Sequence, residues 1–350
     1  MATTAGTRRG ETWRATAPVR ADLAGGTLDL WPLGLLHEGA CTVAAALSLR
    51  VEATAGPAPR RGALRLASRD LGAALDRPRD ARGARRGKLE LLERIARLCG
   101  PAEGTTLTSF SPLAAGSGLG TSSALGVAAA AAATRLAGRP ARRGEIVPLV
   151  RDVEAQLLGI PTGTQDHEAA WLGGLVVVEQ RPGGALVRRL DDALLAALAE
   201  RLVVVDSGKS RCSGPSNWDM FRRRLDGDRA AKTALARVAR AGSSAAAALA
   251  AADWRKLGRA MQADLAARRE WSPLVLTERL AALNDAALAA GAWGFKVCGA
   301  GGGGYAIALA APERRGRVTA ALVEAGAAAT SARPSARGLV LKRLAAGRER

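Results

Sequence analysis

Residues 111–126 read SPLAAGSGLGTSSALG, a glycine-rich turn set between a strand-like run and an alanine-rich helix. Upstream, residues 105–110 (TTLTSF) carry the β-branched side chains and partial alternation of a strand; downstream, residues 124–136 have the composition of a buried helix. Strand, glycine loop and helix in that order form a phosphate-binding arrangement. Gly116, Gly118 and Gly120 lack Cβ atoms, so the backbone can bend sharply and approach a ligand, while the free amides of the first helical turn face any anion held there. Around them stand Ser117 and Leu119, and then three hydroxyls at the helix start, Thr121, Ser122 and Ser123. Those hydroxyls can cap the helix, touch phosphate oxygens or complete a Mg²⁺ shell. A glycine turn with serines is also a common cap or linker, so the loop taken alone leaves the two readings evenly balanced.

Several nucleotide-binding classes are excluded by inspection. No Lys follows the last glycine, so this is not a Walker loop, and Gly116-x-Gly118-x-Gly120 has the wrong final spacing for a dinucleotide fingerprint. No protein-kinase catalytic loop or DFG segment occurs. The net charge of +19 would ordinarily suggest nucleic acid, but the basic residues are spread over the whole length and only 3% of residues are aromatic, which leaves little for bases to stack on. What survives is a positive field suited to attracting phosphorylated small molecules. Cys41, Cys99, Cys212 and Cys298 form no CxxC pair and suit reduced thiols in a cytoplasmic protein; with only two histidines, a zinc site built mainly from His is not expected. No apolar run reaches the length of a membrane span, so neither a membrane nor a specific nucleic acid is an expected partner.

Along the chain, residues 13–23 and 42–54 read as strands, with a glycine turn, AGGTLDL, between them carrying Asp29. Residues 56–86, rich in Pro, Gly, Ala and Arg, suggest a hairpin or an excursion. Residues 88–98 have the spacing of a surface helix with one buried stripe. Helices follow to residue 137 and over 143–158, the second carrying Glu154 and ending at Gly159. After IPTGTQDHE at 160–168 come a strand at 174–179, a strand at 201–206, the polar stretch SGKSRCSGPSNW, and long helices to about residue 290. Residues 294–310 are two apolar strands joined by the glycine-rich loop 299–304, and a helix from 312 and a strand at 338–344 close the second domain. Five glycines in six positions cost backbone entropy that a plain hairpin does not require, whereas close approach of backbone to a ligand or to the first loop does.

The first glycine loop resembles the second motif of the GHMP small-molecule kinases, Pro-x-x-x-Gly-Leu-Gly-Ser-Ser-Ala, with Thr121 in place of the first serine and Ala114 at the proline position. Residues 17–29, APVRADLAGGTLD, align without a gap with the galactokinase opening Ala-Pro-Gly-Arg-Val-Asn-Leu-Ile-Gly-Glu-His-Thr-Asp. They are closer to the heptose-phosphate kinase opening Arg-Ile-Ser-Phe-x-Gly-Gly-Gly-Thr-Asp, although Thr27 and Leu28 stand where that group has Gly-Thr. LGIPTGTQDH at 158–167 is similar to that branch's Leu-Gly-Ile-x-x-Gly-x-Gln-Asp-Gln, with His167 replacing the last glutamine. KVCGAGGGG from Lys296 resembles the third motif almost residue for residue.

The resemblance implies an α+β, two-domain GHMP kinase fold. A ribosomal-protein-S5-like N-terminal domain is expected over 1–200 and a ferredoxin-like C-terminal domain over 201–350, with the active site in the cleft between them. By the same resemblance, 116–123 would bind ATP, Ser122 and Glu154 would hold Mg²⁺, and Asp166 and Arg20 would be catalytic. The acceptor would meet Gly26, Thr27, Asp29, Gly163, Gly301 and Gly302 and, if it already carries a phosphate, Lys209 and Arg211. The expected reaction transfers the γ-phosphoryl group to a hydroxyl, the anomeric one by resemblance, of a sugar or sugar phosphate such as heptose 7-phosphate. A free-hexose or mevalonate-type kinase, or a non-catalytic sugar and nucleotide sensor, remains an alternative on the same fold, and a homodimer stays open. Without the family pattern, Glu154 reads as a solvated helix acid, Asp29 and Asp166 as turn residues, and Lys209 and Arg211 as solvent-facing.

Overall fold

The alternating runs near the start of the chain become two long antiparallel strands, β1 (Thr12–Ala24) and β2 (Cys41–Pro57). The computed structural model describes residues 11–81, 87–208 and 217–344. The Pro- and Gly-rich stretch after β2 is a hairpin, β3 (Ala63–Ser68) and β4 (Ala73–Pro78). Helix α1 (Glu90–Cys99) turns Leu92, Ile95 and Cys99 inward, as its spacing requires, and leads to β5 (Gly104–Phe110). Three helices follow, α2 (Thr121–Leu136), α3 (Arg143–Leu158) and α4 (Gln165–Leu172), then the hairpin β6 (Leu175–Arg181) and β7 (Gly184–Arg189), and α5 (Asp192–Ala199).

β2 organises the large sheet because it is long enough to change partners along one edge. Its start, 41–45, pairs with β6, its end, 52–57, with β5, and β1 lies along the other edge. Ala128 to Ala133 of α2 are all fully buried. Their small side chains let the helix lie close over β1 and β2, which fixes where its N-terminus emerges.

The second sheet is built from β8 (Leu202–Asp206), β9 (Gly294–Val297), β10 (Tyr305–Leu309) and β11 (Ala328–Ala329), all antiparallel in the order β11-β8-β10-β9. Between β8 and β9 run α6 (Asn217–Leu225), α7 (Arg229–Ala250), α8 (Trp254–Trp271) and α9 (Glu278–Ala289), and α10 (Pro312–Glu324) joins β10 to β11. With its helices between the first and second and between the third and fourth strands, the strand order 4-1-3-2 is the ferredoxin-like arrangement expected of this half.

The last strand, β12 (Val340–Leu344), departs from expectation. It does not close the second domain but pairs antiparallel with Thr12 to Thr16 of β1, covering an edge of the large sheet. Arg50 secures the return by donating to the carbonyls of Arg337 and Gly338 at 2.8 and 2.7 Å. A short strand-prone segment shows that a strand forms, but not which free edge it will meet. The two cores also interleave. Leu28, Leu30 and Leu33, just beyond the Asp29 turn, are buried with α7 and α9 residues of the second half, whereas Leu257 and Met261 of α8 join the core of the first.

Candidate functional site

The glycine loop turns through three left-handed residues, Gly116, Gly118 and Gly120, with φ of 82°, 81° and 71°. Two of them also need the missing side chain: a Cβ at Gly118 would sit 2.6 Å from Cys298 O, and one at Gly120 would sit 2.9 Å from Asp166 Oδ2. Helix α2 then starts with Gly120 as its cap and no side chain satisfying its first amides. The N–H groups of the first turn therefore face the loop's concave side, with the helix dipole behind them. Ser117 Oγ lies 2.9 Å from Thr121 Oγ1, closing the loop on itself.

The third-motif loop supports the first from the second domain. Tyr305 N donates to Ser117 O at 2.9 Å, and Gly304 packs on the Gly116 and Ser117 carbonyls so closely that no Cβ fits. Gly301 and Gly302 face elsewhere. A Cβ at Gly301 would meet Val275, and the Gly302 amide donates to Val275 O at 3.1 Å. That amide is already engaged, so this loop meets the site through Cys298, Gly304 and Tyr305.

Arg20 on β1 joins the loop to α4. Its Nη1 donates to Gly118 O at 2.6 Å, its Nε to Asp166 Oδ1 at 2.7 Å, and its backbone amide to Leu119 O at 2.9 Å. Burial works against the guanidinium charge, but Asp166 and Asp22 outweigh it and raise the Arg20 pKa further. Asp166 keeps about a quarter of its side chain exposed at 24%, while Arg20 is almost enclosed at 5%. One carboxylate oxygen is thus pinned, and the group still reaches open space.

α4 begins inside IPTGTQDHE, a segment without a helical sequence pattern. Its start brings Asp166 beside Asp29, whose Oδ2 accepts from the Gln165 amide at 2.9 Å. Gly163 lies so close to Asp29 that only hydrogen fits between them. Gln180 Nε2 holds the Asp29 carbonyl at 2.7 Å. Burial, with Asp166 and Asp22 nearby, raises the Asp29 pKa despite the Gln165 amide. Among the described residues, the buried Thr164 Oγ1 and Gln165 Oε1 have no hydrogen-bond partner, so polar capacity is left around this carboxylate.

Glu154 on α3 faces the α2 start. Its Oε2 accepts from Ser123 Oγ at 2.7 Å and lies 2.8 Å from His167 Nε2, a short ion-pair contact without hydrogen-bond alignment. Burial opposes the Glu154 charge, yet His167, Ser122 and Ser123 together hold its pKa below the ordinary range. Burial likewise disfavours imidazolium at His167, but Glu154, Asp166 and Asp29 prevail and raise its pKa. His167 was identified only as a departure from the family glutamine, without a role. Its position one residue after Asp166 on a helix, which turns the two side chains apart, is the signal that it faces Glu154.

As a Mg²⁺ site, a carboxylate beside hydroxyls at a helix start offers hard oxygen donors. Among the described residues no cluster of three His, Cys, Asp or Glu side chains could hold a metal. The set fits Mg²⁺, which takes one or two protein ligands and completes its shell with phosphate oxygens and water. Gly26 and Thr27 lie in the turn before Asp29, and Thr27 is held at a φ of 83°, strained for a β-branched residue, where the heptose-kinase opening has glycine. Lys209 and Arg211 lie outside the described residues. The structure therefore brings together 116–123, Arg20, Asp29, Glu154, Gly163 and Asp166, and separates Gly301 and Gly302 from them.

The GHMP kinase N-terminal domain model matches residues 88–174 and the GHMP kinase C-terminal domain model matches 245–328. A D-glycero-D-manno-heptose 1-phosphate kinase from Bacteroides thetaiotaomicron is similar at a TM-score of 0.74 and 20% identity, over 95% of this chain and 99% of that one. A galactokinase from Lactococcus lactis, solved with galactose, is similar at 0.72 and 18%, over 94% and 95%. A phosphomevalonate kinase from Streptococcus pneumoniae, solved with phosphomevalonate and AMPPNP, is similar at 0.72 and 15%, over 92% and 99%. At these identities the likeness is one of fold. No curated protein matches the chain in sequence. None of the described helices is long and apolar enough to cross a membrane.

Proposed function

This chain belongs to the GHMP kinase family, and we propose that it is an ATP-dependent kinase that phosphorylates a hydroxyl of a sugar or sugar phosphate. The observation that carries this reading is the double engagement of Arg20, which holds Gly118 O of the glycine loop with one nitrogen and Asp166 with another. One guanidinium thereby sets the distance between the anion-binding loop and the partly exposed carboxylate.

Phosphoryl transfer leaves the protein little covalent work; positioning and charge neutralisation carry it. The amides of 116–123 cradle the ATP phosphates at the α2 N-terminus. Ser122 and Glu154 would hold Mg²⁺, whose charge would offset that of the phosphates. Asp166 accepts the proton of the attacking hydroxyl or orients it, and Arg20 balances the charge that develops on the transferred group. Asp29, with Thr164 Oγ1 and Gln165 Oε1 beside it, receives the acceptor's other hydroxyls. His167 holds Glu154 in its ionised form and oriented toward the loop.

The anomeric hydroxyl is the position that the heptose-kinase resemblance favours. The test is Mg²⁺-dependent ADP release over free and phosphorylated hexoses and heptoses, with mevalonate as a non-sugar control. Turnover with one of the sugars, lost in Asp166→Asn, is the expected result; mevalonate as the best acceptor would reject the sugar assignment.

A further inference from the structure

Behind the Asp29 turn lies a group of four charges with almost no exposure: Asp22 on β1, Asp264 and Arg268 on α8, and Lys296 on β9. Lys296 Nζ is 3.0 Å from Asp22 Oδ2 and 2.9 Å from Asp264 Oδ2. Arg268 Nε donates to Asp264 Oδ2 at 2.7 Å, and its Nη2 lies 3.8 Å from Asp22 Oδ2. Two cations and two anions balance, so the cluster is neutral as a whole. Burying four ions is nevertheless a poor route to stability, because desolvation takes back most of the attraction and apolar side chains of similar volume commonly do as well. Such a cluster calls for a task other than stability.

Its remaining hydrogen bonds indicate the task. Asp264 Oδ1 accepts from Gly25 N at 2.8 Å, and Arg268 Nη2 donates to Gly26 O at 2.6 Å. Two side chains of the second domain thus hold the N–H of Gly25 and the C=O of Gly26, the two outer ends of the Gly25–Gly26 pair in the turn that leads to Thr27 and Asp29. A Cβ at Gly26 would strike Asp22 Oδ2 at 2.5 Å and Arg268 Nη2 at 2.8 Å, so the turn is pressed directly on the cluster. Asp22 also lies two residues from Arg20 on β1 and strengthens its charge. The charge at position 22 is this chain's own departure: the aligned openings quoted above carry Asn or Ser there.

We propose that Asp264 and Arg268 are positioning residues for the acceptor, fixing the turn at Gly25 and Gly26 through the buried quartet with Asp22 and Lys296. The inference rests on the kinase reading. Arg268 suits the role because its planar fork reaches a carboxylate and a carbonyl at once, which a lysine ammonium on a flexible stem cannot reproduce.

Arg268→Lys in the full chain is the first test. It keeps the charge and loses the fork, and is expected to raise KM for the acceptor sugar at least tenfold while KM for ATP stays within about twofold. Hydrogen exchange supplies a readout that needs no turnover: amides of 25–30 should exchange at least tenfold faster, with 111–126 unchanged. If that variant fails to fold, Asp22→Asn, which restores the uncharged type of the aligned openings and leaves the cluster with excess positive charge, is expected to show the same split more weakly. A merely structural cluster would lower Tm and move both KM values, or both segments, together; that result overturns the proposal. Unchanged acceptor KM and unchanged exchange at 25–30 would also overturn it. If the parent chain transfers phosphate to no sugar, the kinase reading fails and the acceptor role fails with it, whereas turnover with an unsplit KM response sinks the positioning claim alone.

Discussion

The glycine loop and the Asp29 turn meet across Arg20 and Asp166, but they are constructed in opposite ways. The loop is a contiguous piece of backbone: left-handed glycines shape it, its own helix supplies the amides, and the second domain supports it through the Tyr305 amide, which donates to Ser117 O, and through the close packing of Cys298 and Gly304. The turn is assembled mostly from side chains contributed by distant elements. The Gln180 side chain and the Gln165 backbone amide hold Asp29, Asp264 and Arg268 hold the preceding glycines, and Leu28, Leu30 and Leu33 root the segment in the other core. A backbone-built site recognises what all its ligands share, here a phosphate, whereas a side-chain-built site can change its ligand by substitution. On the proposed reading, the loop would recognise the nucleotide and the turn would choose the acceptor.

The largest effect should come from the residue that serves both regions. Arg20→Met removes the tie and leaves Asp166 without its partner, and kcat should fall by roughly 100-fold or more. A fall of only a few-fold in steady-state rate would show that the two regions do not need one another. Next is Gly118→Ala, which forces a side chain into a left-handed position against Cys298 O. Strain of about 1–3 kcal/mol is expected. Thermal melting should detect it, and KM for ATP should rise about tenfold with the acceptor KM nearly unmoved, given that the loop must approach its ligand as bare backbone.

Asp29→Asn should do the reverse, raising the acceptor KM about tenfold through a lost charged contact while leaving ATP alone. Because burial raises the Asp29 pKa, its ionised form costs stability at neutral pH, and that cost sets in as pH rises through the folded value. The variant's Tm relative to the parent should therefore be most favourable at pH 7 and should decline toward pH 4. A comparison that improves toward pH 4 would contradict the sign.

The smallest effect concerns His37, just past the turn, where burial and the nearby Arg224 and Lys232 hold the imidazole pKa below its usual value. The unfolded chain binds this proton first, so the contribution of His37 is present above its ordinary pKa and is lost as pH falls below it. His37→Gln should flatten the decline in stability below about pH 6.5 by under about 1 kcal/mol, as followed by denaturant titration at several pH values.

The same contrast governs how much could be read from the chain alone. The glycine loop, the third motif and the acids Glu154 and Asp166 were legible because the chemistry fixes their spacing within short segments, and the 4-1-3-2 sheet followed from the family resemblance. The partner of β12 was not, because a five-residue segment such as Val-Leu-Lys-Arg-Leu fits several sheet edges. Nor was the quartet. Asp264 and Arg268, four apart on a helix, look in sequence like any surface ion pair, and only the approach of β1 and β9 buries them. Gly301 and Gly302 were assigned to the acceptor by motif, yet they pack on Val275, because a glycine run does not show which of its members face a ligand and which face protein. Thr27 stands at a φ of 83°, a left-handed position that a glycine would fill without strain.

The most direct test of the whole arrangement compares nucleotide affinity and phosphoryl transfer in one preparation of Asp166→Asn. Titration calorimetry with MgADP should give a Kd within about threefold of the parent, since the loop is intact, while single-turnover transfer to the sugar should be at least 100-fold slower. Transfer at the parental rate, or transfer lost only because the nucleotide no longer binds, would contradict a site in which Asp166 acts on the acceptor and the glycine loop holds the phosphates.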